Sequence, residues 1–291
     1  MKKIMSFDDR PGFIWLNGKF VVWKKAKIHI LSHGLHYGSC VFEGARVYDR
    51  KIFKLKEHTK RLFYSAKVLG FKLPYKEQKI NNACLEIVKK QKIINGYLRP
   101  FAWRGSEMMA ISAQNTKIHL AIATWPMDTY FDEKKRLKGI KLQTAKWRRP
   151  PANSAPTDAK AAGLYMICTL SKHYAEKKGF DDALMLNYKG YVAESTGSNI
   201  FFVKNKELYT PIADCFLNGI TRKTVIQIAK KNKIKVIEKK ISPKELLAAD
   251  EIFLTGTAVE ITPVSQIDSK KFKVGHITKE LIYLFSNFVK K

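Results

Sequence analysis

The 291-residue sequence predicts a mixed α+β protein in two unequal halves. Strand-like apolar runs joined by tight turns alternate with amphipathic helices in both halves. The stretch Pro126–Lys138 is polar and charged and has no apolar period, which is typical of a connection between domains. We therefore expect an N-terminal domain over residues 1–125, an interdomain loop over residues 126–138 and a C-terminal domain over residues 139–291.

The N-terminal half is predicted to begin with hairpins. Phe13–Leu16 and Lys19–Trp23 flank Asn17-Gly18, a dipeptide that favours a two-residue turn. An amphipathic helix is expected to stop at Gly70, because glycine readily ends a helix. The other predicted elements are a hairpin from Ala45–Tyr48 into Lys51–Leu55, helices over Glu57–Leu69 and Lys76–Lys92, and strands over Tyr97–Trp103 and Ile118–Trp125.

The C-terminal half is predicted to open with a strand over Ile140–Lys146, followed by a loop rich in Pro, Ala and Ser. A helix is expected to begin near Lys160 and to end at Gly179. Ser242 is a candidate N-cap for the helix that follows it. The remaining predicted elements are strands over Asp182–Leu186, Tyr191–Glu194, Ile200–Val203 and Glu207–Tyr209, and helices over Thr221–Asn232, Pro243–Ala248 and the C-terminus.

Composition indicates a folded, globular protein, since 45% of the residues are hydrophobic and 12% aromatic. No apolar run is long enough for a membrane span, and the N-terminus has no apolar stretch of the kind a secretory signal needs. We expect a cytoplasmic protein that does not bind membranes. The cysteines form no C-x-x-C pair, which favours reduced, mostly buried thiols and no metal site. They are Cys40, Cys84, Cys168 and Cys215.

The formal net charge of +29 leaves a nucleic-acid-binding protein as an alternative, because basic proteins release counterions from phosphate backbones. Two observations weaken it. Only ten of the 54 basic residues are arginine, the side chain suited to bidentate phosphate contacts. The lysines are also scattered along the chain. A lysine-coated enzyme without a specific nucleic-acid partner is favoured.

Lys160 is the candidate for covalent chemistry. A lysine that attacks a carbonyl must lose its proton near neutral pH, which burial or nearby positive charge promotes. The small residues Ala159, Ala161, Ala162 and Gly163 leave space for a ring beside it. On composition alone, an exposed lysine at a helix start is clearly the favoured interpretation, so the rest of the chain must decide.

Four further features bear on that choice. Gly219-Ile220-Thr221 precedes a predicted helix, whose N-terminal N–H groups favour a phosphate. Gly256-Thr257-Ala258 is a small-residue turn suited to anions. Arg61 offers a fixed positive charge, and Glu194 could pair with a protonated ring nitrogen. Each feature alone is weak. A Gly-x-Thr before a helix is usually just capping, and a lone helix arginine is more often solvated. For Glu194 the alternative is an ordinary strand-end carboxylate.

Together these residues lie in motifs that resemble the branched-chain amino-acid aminotransferases, pyridoxal-phosphate enzymes of fold type IV. The resemblance runs from about Ile14 to Phe285, and the motifs occur in the family's order. They are SHGLHYGSCVFEGARVY (Ser32–Tyr48), KEHTKRL (Lys56–Leu62), GYLRP (Gly96–Pro100), PTDAKAAGLY (Pro156–Tyr165), GYVAESTGSNIF (Gly190–Phe201), LNGITR (Leu217–Arg222) and FLTGTAVEITPV (Phe253–Val264).

The resemblance implies a smaller N-terminal α/β domain, a larger C-terminal domain with a pseudo-barrel, and pyridoxal 5'-phosphate as cofactor. Lys160 would form the Schiff base with it and later move the proton. Glu194 would hold the pyridine nitrogen protonated, and Tyr165 would contact the ring hydroxyl. The cofactor phosphate would be bound by Arg61, Ile220, Thr221 and Thr257.

The resemblance also implies the substrate site. Tyr97 and the backbone at Thr257-Ala258 would hold the α-carboxylate, and Arg99 would accept the distal carboxylate of glutamate. A neighbouring subunit would lend part of the apolar pocket. For any one of the pocket residues taken alone, ordinary core packing would be the favoured interpretation. The pocket residues are Tyr37, Phe42, Met109, Ile111 and Tyr130.

Three residues depart from the family pattern. Leu164 stands where relatives commonly have Asn. Asn218 replaces the usual Pro before Gly219, which predicts a looser turn. Met127 lies in the substrate pocket where close relatives often carry Trp, and a flexible thioether there is expected to reshape specificity. The departures leave the cofactor chemistry intact and bear on the choice of substrate.

The activity implied is transfer of the amino group of L-leucine, L-isoleucine or L-valine to 2-oxoglutarate by a homodimer or homohexamer. Within the same fold, a D-amino-acid aminotransferase and an aminodeoxychorismate lyase are the alternatives. The motifs Gly96–Pro100 and Gly256–Val264 favour the branched-chain activity over both.

Overall fold

The computed structural model describes residues 6–128 and 138–290. The chain divides into two compact units. The first unit is the described part of Met1–Asp128 together with Ala159–Gly163, and the second is the described part of Thr129–Asp158 and Leu164–Lys291. Lys160 therefore belongs to the first unit, although most of its sequence neighbours belong to the second.

A seven-stranded sheet forms the first unit, in the order β2-β1-β7-β6-β4-β5 with β3 paired to β6. The long antiparallel pair β6–β7 is its centre, with Arg99 opposite Ala123. Asn17 takes a left-handed φ of 49° in the turn that joins β1 to β2, as the Asn17-Gly18 signal predicts. The strands are β1 (Phe13–Leu16), β2 (Lys19–Val22), β3 (Cys40–Phe42), β4 (Ala45–Tyr48), β5 (Lys51–Ile52), β6 (Gly96–Arg104) and β7 (Ile118–Pro126).

Two helices cover the apolar face of this sheet. Leu62 of one and Ile80 of the other are buried in the same core as Leu98 and Ile122 of the central strands. The apolar positions recur every three or four residues along each helix, which places them on one face. The helices of the first unit are α1 (His33–Tyr37), α2 (Leu55–Val68) and α3 (Glu77–Lys90), and Trp23–Lys25 is a single 3-10 turn.

The second unit is built on a closed barrel. Six strands follow one another in the order β10-β9-β8-β15-β14-β11, and the pairing of β10 with β11 closes the ring. β12 and β13 extend the sheet beyond β11, and β16 pairs with β15. The strands are β8 (Ile140–Thr144), β9 (Asp182–Leu186), β10 (Val192–Ser195), β11 (Asn199–Lys204), β12 (Glu207–Pro211), β13 (Val236–Lys239), β14 (Glu251–Gly256), β15 (Glu260–Ile267) and β16 (Lys270–Lys271).

Side chains alternate between the two faces of the barrel strands, and each face contributes to a different hydrophobic core. On β11, Ile200 and Phe202 share one core with Ile140 of β8, whereas Phe201 faces the helices and stacks on Phe253 with ring centroids 5.2 Å apart. Successive strand residues point to opposite faces, so a small barrel is filled by every second side chain. The helices of the second unit are α4 (Met166–Lys177), α5 (Ile220–Lys231), α6 (Pro243–Leu247) and α7 (His276–Val289), and Ala162–Tyr165 is a 3-10 turn.

Most predicted elements are confirmed, and three differ. The predicted strand Lys51–Leu55 ends at Ile52, because Lys54 takes a left-handed φ of 51° and starts α2. β8 ends at Thr144 and not at Lys146. The helix predicted from Lys160 is wrong at its start, since the 3-10 turn begins at Ala162 and α4 at Met166.

The structure also bears on the expected helix cap, the cysteines, membrane spans and metal sites. Ser242 caps α6, where its hydroxyl accepts the N–H of Glu245 at 3.2 Å, as predicted. The four cysteines are free thiols and three of them are buried, which confirms that prediction. Among the described residues no helix is both long and apolar enough to cross a bilayer. Within the same ranges, no group of His, Cys, Asp and Glu side chains could hold a metal ion.

Candidate active site

Lys160 is fixed by its backbone to two elements of the first unit. Its N–H donates to Oγ of Ser65 on α2 at 2.9 Å, and its carbonyl accepts the N–H of Phe42 at 3.1 Å. The neighbouring Ala161 bridges to Val41 of β3. The bond from Phe42 uses the Lys160 carbonyl, which a helix beginning at Lys160 would need for its own hydrogen bonding, and this explains why no helix begins there.

The Lys160 side chain lies in a partly buried, aromatic and cationic setting. Its Nζ is 4.8 Å from the centre of the Phe42 ring, and Cζ of Arg99 lies at the same distance from that ring. Burial first, and then the positive charge of Arg61, lowers the pKa of Lys160 from its usual 10.5 to about 8. At pH 7 roughly a tenth of Lys160 is therefore an uncharged amine, far more than for a lysine with the usual pKa.

Arg61 is bound to a carboxylate that the sequence analysis did not single out. Its Nε donates to Oε1 of Glu43 at 2.6 Å and its Nη2 donates to Oε2 at 2.9 Å. His58 also bonds Glu43, with Nδ1 2.7 Å from Oε2. The signals lay inside the quoted motifs, since Glu43 is in VFEG and His58 is in KEHTKRL.

Tyr97 and Arg99 lie on β6, two residues apart, and their side chains meet. Cζ of Arg99 is 5.4 Å from the centre of the Tyr97 ring. Gly44 must be a glycine here, because a Cβ at that position would stand 1.8 Å from the Tyr97 hydroxyl. The Arg99 Nε is buried and has no hydrogen-bond partner among the described residues. Such a buried donor is suited to a carboxylate that arrives with a substrate.

The other predicted pocket residues of the first unit lie at the end of α1 and in the segments that follow β6 and β7. Tyr37 is half-exposed and stacks on His33, with ring centroids 4.6 Å apart. Met109 and Ile111 belong to the loop between β6 and β7 and are 41% and 83% exposed. Met127 follows β7 and is partly buried. Tyr130 lies outside the described residues.

Glu194 is buried in β10 of the second unit. Its Oε1 is 3.4 Å from Nε of Arg149, and its Oε2 accepts from Nδ2 of Asn199 at 3.4 Å. Arg149 is itself buried and donates to the Cys215 carbonyl. The ion pair with Arg149 orients the Glu194 carboxylate and offsets the cost of burying it. Sequence reasoning missed Arg149 and Asn199, although Asn199 follows Glu194 by five residues in the same motif.

Asn199 connects Glu194 to the start of α5. Its Oδ1 accepts the N–H of Gly219 at 3.1 Å, and Gly219 is the N-cap of the helix Ile220–Lys231. Gly219 has no side chain to cap that terminus, and the first two residues of the helix, Ile220 and Thr221, are buried. Asn218 accepts from Nη1 of Arg222 at 3.0 Å, which holds the turn that lacks the usual proline.

Thr257 and Ala258 form the turn between β14 and β15 and are partly buried. Thr255, two residues before Thr257, pairs with Asn199 in the β11–β14 ladder, so this turn lies on the same side of the barrel as Gly219. Tyr165 ends the 3-10 turn and packs against the Cys168 cluster beside α4. The second unit thus brings Glu194, the α5 terminus and the Thr257 turn together.

Comparisons with known proteins identify the family of the chain. The family Amino-transferase class IV matches residues 40–267. The branched-chain-amino-acid aminotransferase of Pseudomonas aeruginosa is 42% identical over 275 residues, which are 93% of this chain and 90% of that protein.

Solved structures are similar over the whole fold. The branched-chain amino acid aminotransferase of Escherichia coli has a TM-score of 0.93 and 34% identity. The similarity covers 96% of the present chain and 95% of the Escherichia coli chain. The enzyme of the same name from Thermobaculum terrenum, solved in its PLP-form, has a TM-score of 0.88 and 29% identity. This similarity covers 96% of the present chain and 94% of the Thermobaculum chain. The chain therefore belongs to the class IV aminotransferases, among the branched-chain-amino-acid aminotransferases.

Proposed function

We propose that this enzyme transfers the amino group of L-leucine, L-isoleucine or L-valine to 2-oxoglutarate, giving the branched 2-oxo acid and L-glutamate. The observation that carries the proposal is Lys160, a lysine with a depressed pKa beside the Phe42 ring and the Arg99 guanidinium. An amine nucleophile, an apolar surface and a carboxylate-binding group are what this reaction requires in one place.

The described residues fit pyridoxal 5'-phosphate, the cofactor of the family. The uncapped N-terminus of α5 suits a phosphate, and the buried Glu194 suits a protonated ring nitrogen. We assign the phosphate to Arg61, Ile220, Thr221 and Thr257, the ring nitrogen to Glu194, and the ring hydroxyl to Tyr165. When bound, this cofactor supplies a ring that accepts the electron pair left on the substrate α-carbon.

Lys160 performs two tasks in this proposal. Its uncharged Nζ is the nucleophile that anchors the cofactor, and a pKa of about 8 makes that form accessible. When an amino acid takes its place, the released Nζ accepts the proton from the substrate α-carbon and holds it for the next transfer. The Ser65 and Phe42 bonds to its backbone keep Nζ in place while it changes roles.

One pocket must accept both an aliphatic side chain and the second carboxylate of glutamate. Phe42 offers an apolar face for the former, and Arg99 offers a charged donor for the latter. Tyr97 and the backbone at Thr257-Ala258 are proposed to hold the α-carboxylate common to both substrates. Met127, with Tyr37 and Tyr130, is proposed to shape the aliphatic side, where its flexible thioether widens the range of donors.

Met109 and Ile111 fit a pocket shared between subunits. Both are strongly exposed in the single chain, although both are apolar. Burial against a second copy of the chain is the simplest way to remove such a surface from water. We propose a homodimer, alone or within a hexamer, in which this loop completes the neighbour's site, and we place the enzyme in the cytoplasm.

A panel of amino donors with 2-oxoglutarate tests the proposed function. L-leucine, L-isoleucine and L-valine should be used well, D-alanine should not, and aminodeoxychorismate should not be cleaved. A preference for D-alanine would favour the D-amino-acid aminotransferases, and lyase activity would favour the aminodeoxychorismate lyases. The absence of turnover, together with tight salt-dependent binding to DNA or RNA, would instead favour a basic nucleic-acid-binding protein.

A further inference from the structure

Glu43 is a carboxylate buried completely in the first unit. None of its surface is exposed, and its N–H donates to the carbonyl of Pro100 on β6 at 2.8 Å. It directly follows β3, whose Phe42 bonds Lys160. A buried carboxylate is costly unless it is paired and hydrogen-bonded, so its partners are informative.

Both carboxylate oxygens of Glu43 accept hydrogen bonds. Oε1 accepts from Nε of Arg61, while Oε2 accepts from Nη2 of Arg61, from Nδ1 of His58 at 2.7 Å and from the N–H of Gly44 at 3.2 Å. The two bonds to Arg61 form a fork that fixes the plane of the guanidinium as well as its distance. A guanidinium has five N–H donors, so an arginine held in this way can also bind a phosphate.

The three side chains of this cluster, Glu43, Arg61 and His58, differ in their charge. Burial alone raises the pKa of Glu43, but Arg61 and His58 outweigh it and hold that pKa well below its usual value. Burial lowers the pKa of His58 in spite of Glu43. Near neutral pH the cluster therefore consists of one carboxylate, one guanidinium and a neutral imidazole that donates from Nδ1. His58 orients Glu43, and Glu43 orients Arg61.

One face of α2 connects this cluster to Lys160. His58, Arg61 and Ser65 are spaced three and four residues apart, which places them on the same side of the helix. Ser65 receives the backbone N–H of Lys160, while the other two bind Glu43. The position of Arg61 relative to Lys160 is thus set by a single helix face and by Glu43.

We propose that Glu43, oriented by His58, is a positioning residue that presents Arg61 to the phosphate of the cofactor. The inference rests on the proposed function, in which Arg61 binds that phosphate. Glu43 does not touch the cofactor in this account. Its effect is therefore expected on ligands that carry the phosphate, and only through Arg61.

The test compares the affinity of the apoenzyme for pyridoxal 5'-phosphate and for pyridoxal, which lacks the phosphate. Glu43→Gln should weaken pyridoxal 5'-phosphate binding about 10- to 100-fold and leave pyridoxal binding little changed. Arg61→Leu should show the same pattern, and the double variant should be no worse than Arg61→Leu alone. Glu86→Gln, the same change at an exposed helix position, is the matched control and should bind both ligands as wild type does.

An equal loss for both ligands would show a merely structural role and overturn the inference, as would losses that multiply in the double variant. Breaking a buried ion pair is strongly destabilising. If Glu43→Gln does not fold, Glu43→Asp takes its place, and an unchanged ratio of the two affinities in that variant would equally overturn the inference. Failure of the proposed function looks different, because Arg61→Leu would then keep full affinity for the phosphate ligand.

Discussion

Phe42 contacts Lys160 twice, once through the backbone and once through the ring. Its N–H donates to the Lys160 carbonyl at 3.1 Å, and its ring centre lies 4.8 Å from the Lys160 Nζ. The same ring carries the Arg99 guanidinium. One residue of β3 thus sets the distance between the proposed nucleophile and the proposed carboxylate-binding group.

Lys160 should react with electrophiles at a lower pH than the other lysines. A lysine is a nucleophile only after it loses its proton, and the pKa of Lys160 is lowered from 10.5 to about 8. Reactivity therefore rises as pH rises through about 8 and then levels off. Site-resolved mass spectrometry of the apoenzyme, labelled briefly with an acylating reagent between pH 6 and 11, measures this. A midpoint near 10.5 for Lys160 would contradict the depressed pKa.

Lys160→Ala should abolish transamination, because the variant lacks both the anchoring amine and the group that moves the α-proton. The proton transfer alone accounts for roughly 10²- to 10⁴-fold in rate. Steady-state assays with L-leucine and 2-oxoglutarate provide the measurement. Lys279→Ala, at an exposed position of α7, is the matched control and should retain full activity. Full turnover by the Lys160 variant would rule out the assigned role.

Glu194→Gln should leave the cofactor bound but slow the reaction by roughly 100-fold or more, since a neutral amide cannot stabilise a protonated ring nitrogen. Gln preserves the shape of the side chain between Arg149 and Asn199. Single-turnover kinetics of the loaded variant separate binding from chemistry. Glu176→Gln, an exposed glutamate of α4, controls for the loss of charge. An unchanged rate in the Glu194 variant would refute its role.

Arg99→Ala should weaken the use of L-glutamate and 2-oxoglutarate far more than that of L-leucine. Hydrogen bonds to a charged group contribute about 1.5–3 kcal/mol, which corresponds to roughly 10- to 100-fold in kcat/KM. Only the dicarboxylic substrates present a second carboxylate to the buried Nε. Half-reaction rates with each amino acid provide the comparison, and leucine is the internal control. Equal losses for both would count against the assignment.

Local signals in the sequence predicted local structure well. Asn17-Gly18 forms its turn, Gly70 follows the end of α2 with a φ of 71°, and Ser242 caps α6. These features depend on residues within about one turn of each other, so their causes are visible in the sequence.

The features that were not predicted from the sequence depend on contacts between residues that are far apart along the chain. The N–H of Lys160 bonds Ser65, 95 residues away, and its carbonyl, which a helix beginning there would need, accepts the N–H of the distant Phe42 instead. The role of Glu43 was not predicted. Its partner Arg61 is 18 residues away, and the sequence around an acidic residue in an apolar motif does not indicate which side chain it pairs with. Strand β3 is only three residues long, too short for a periodic signal.

Among all the lysines of the chain, Lys160 is the one proposed to carry the cofactor. Borohydride reduction of the enzyme loaded with pyridoxal 5'-phosphate, followed by peptide mass spectrometry, tests it directly. We expect loss of the visible absorption band and one phosphopyridoxyl mass, on the peptide that contains Lys160. The same mass on a different lysine, or on none, would contradict it.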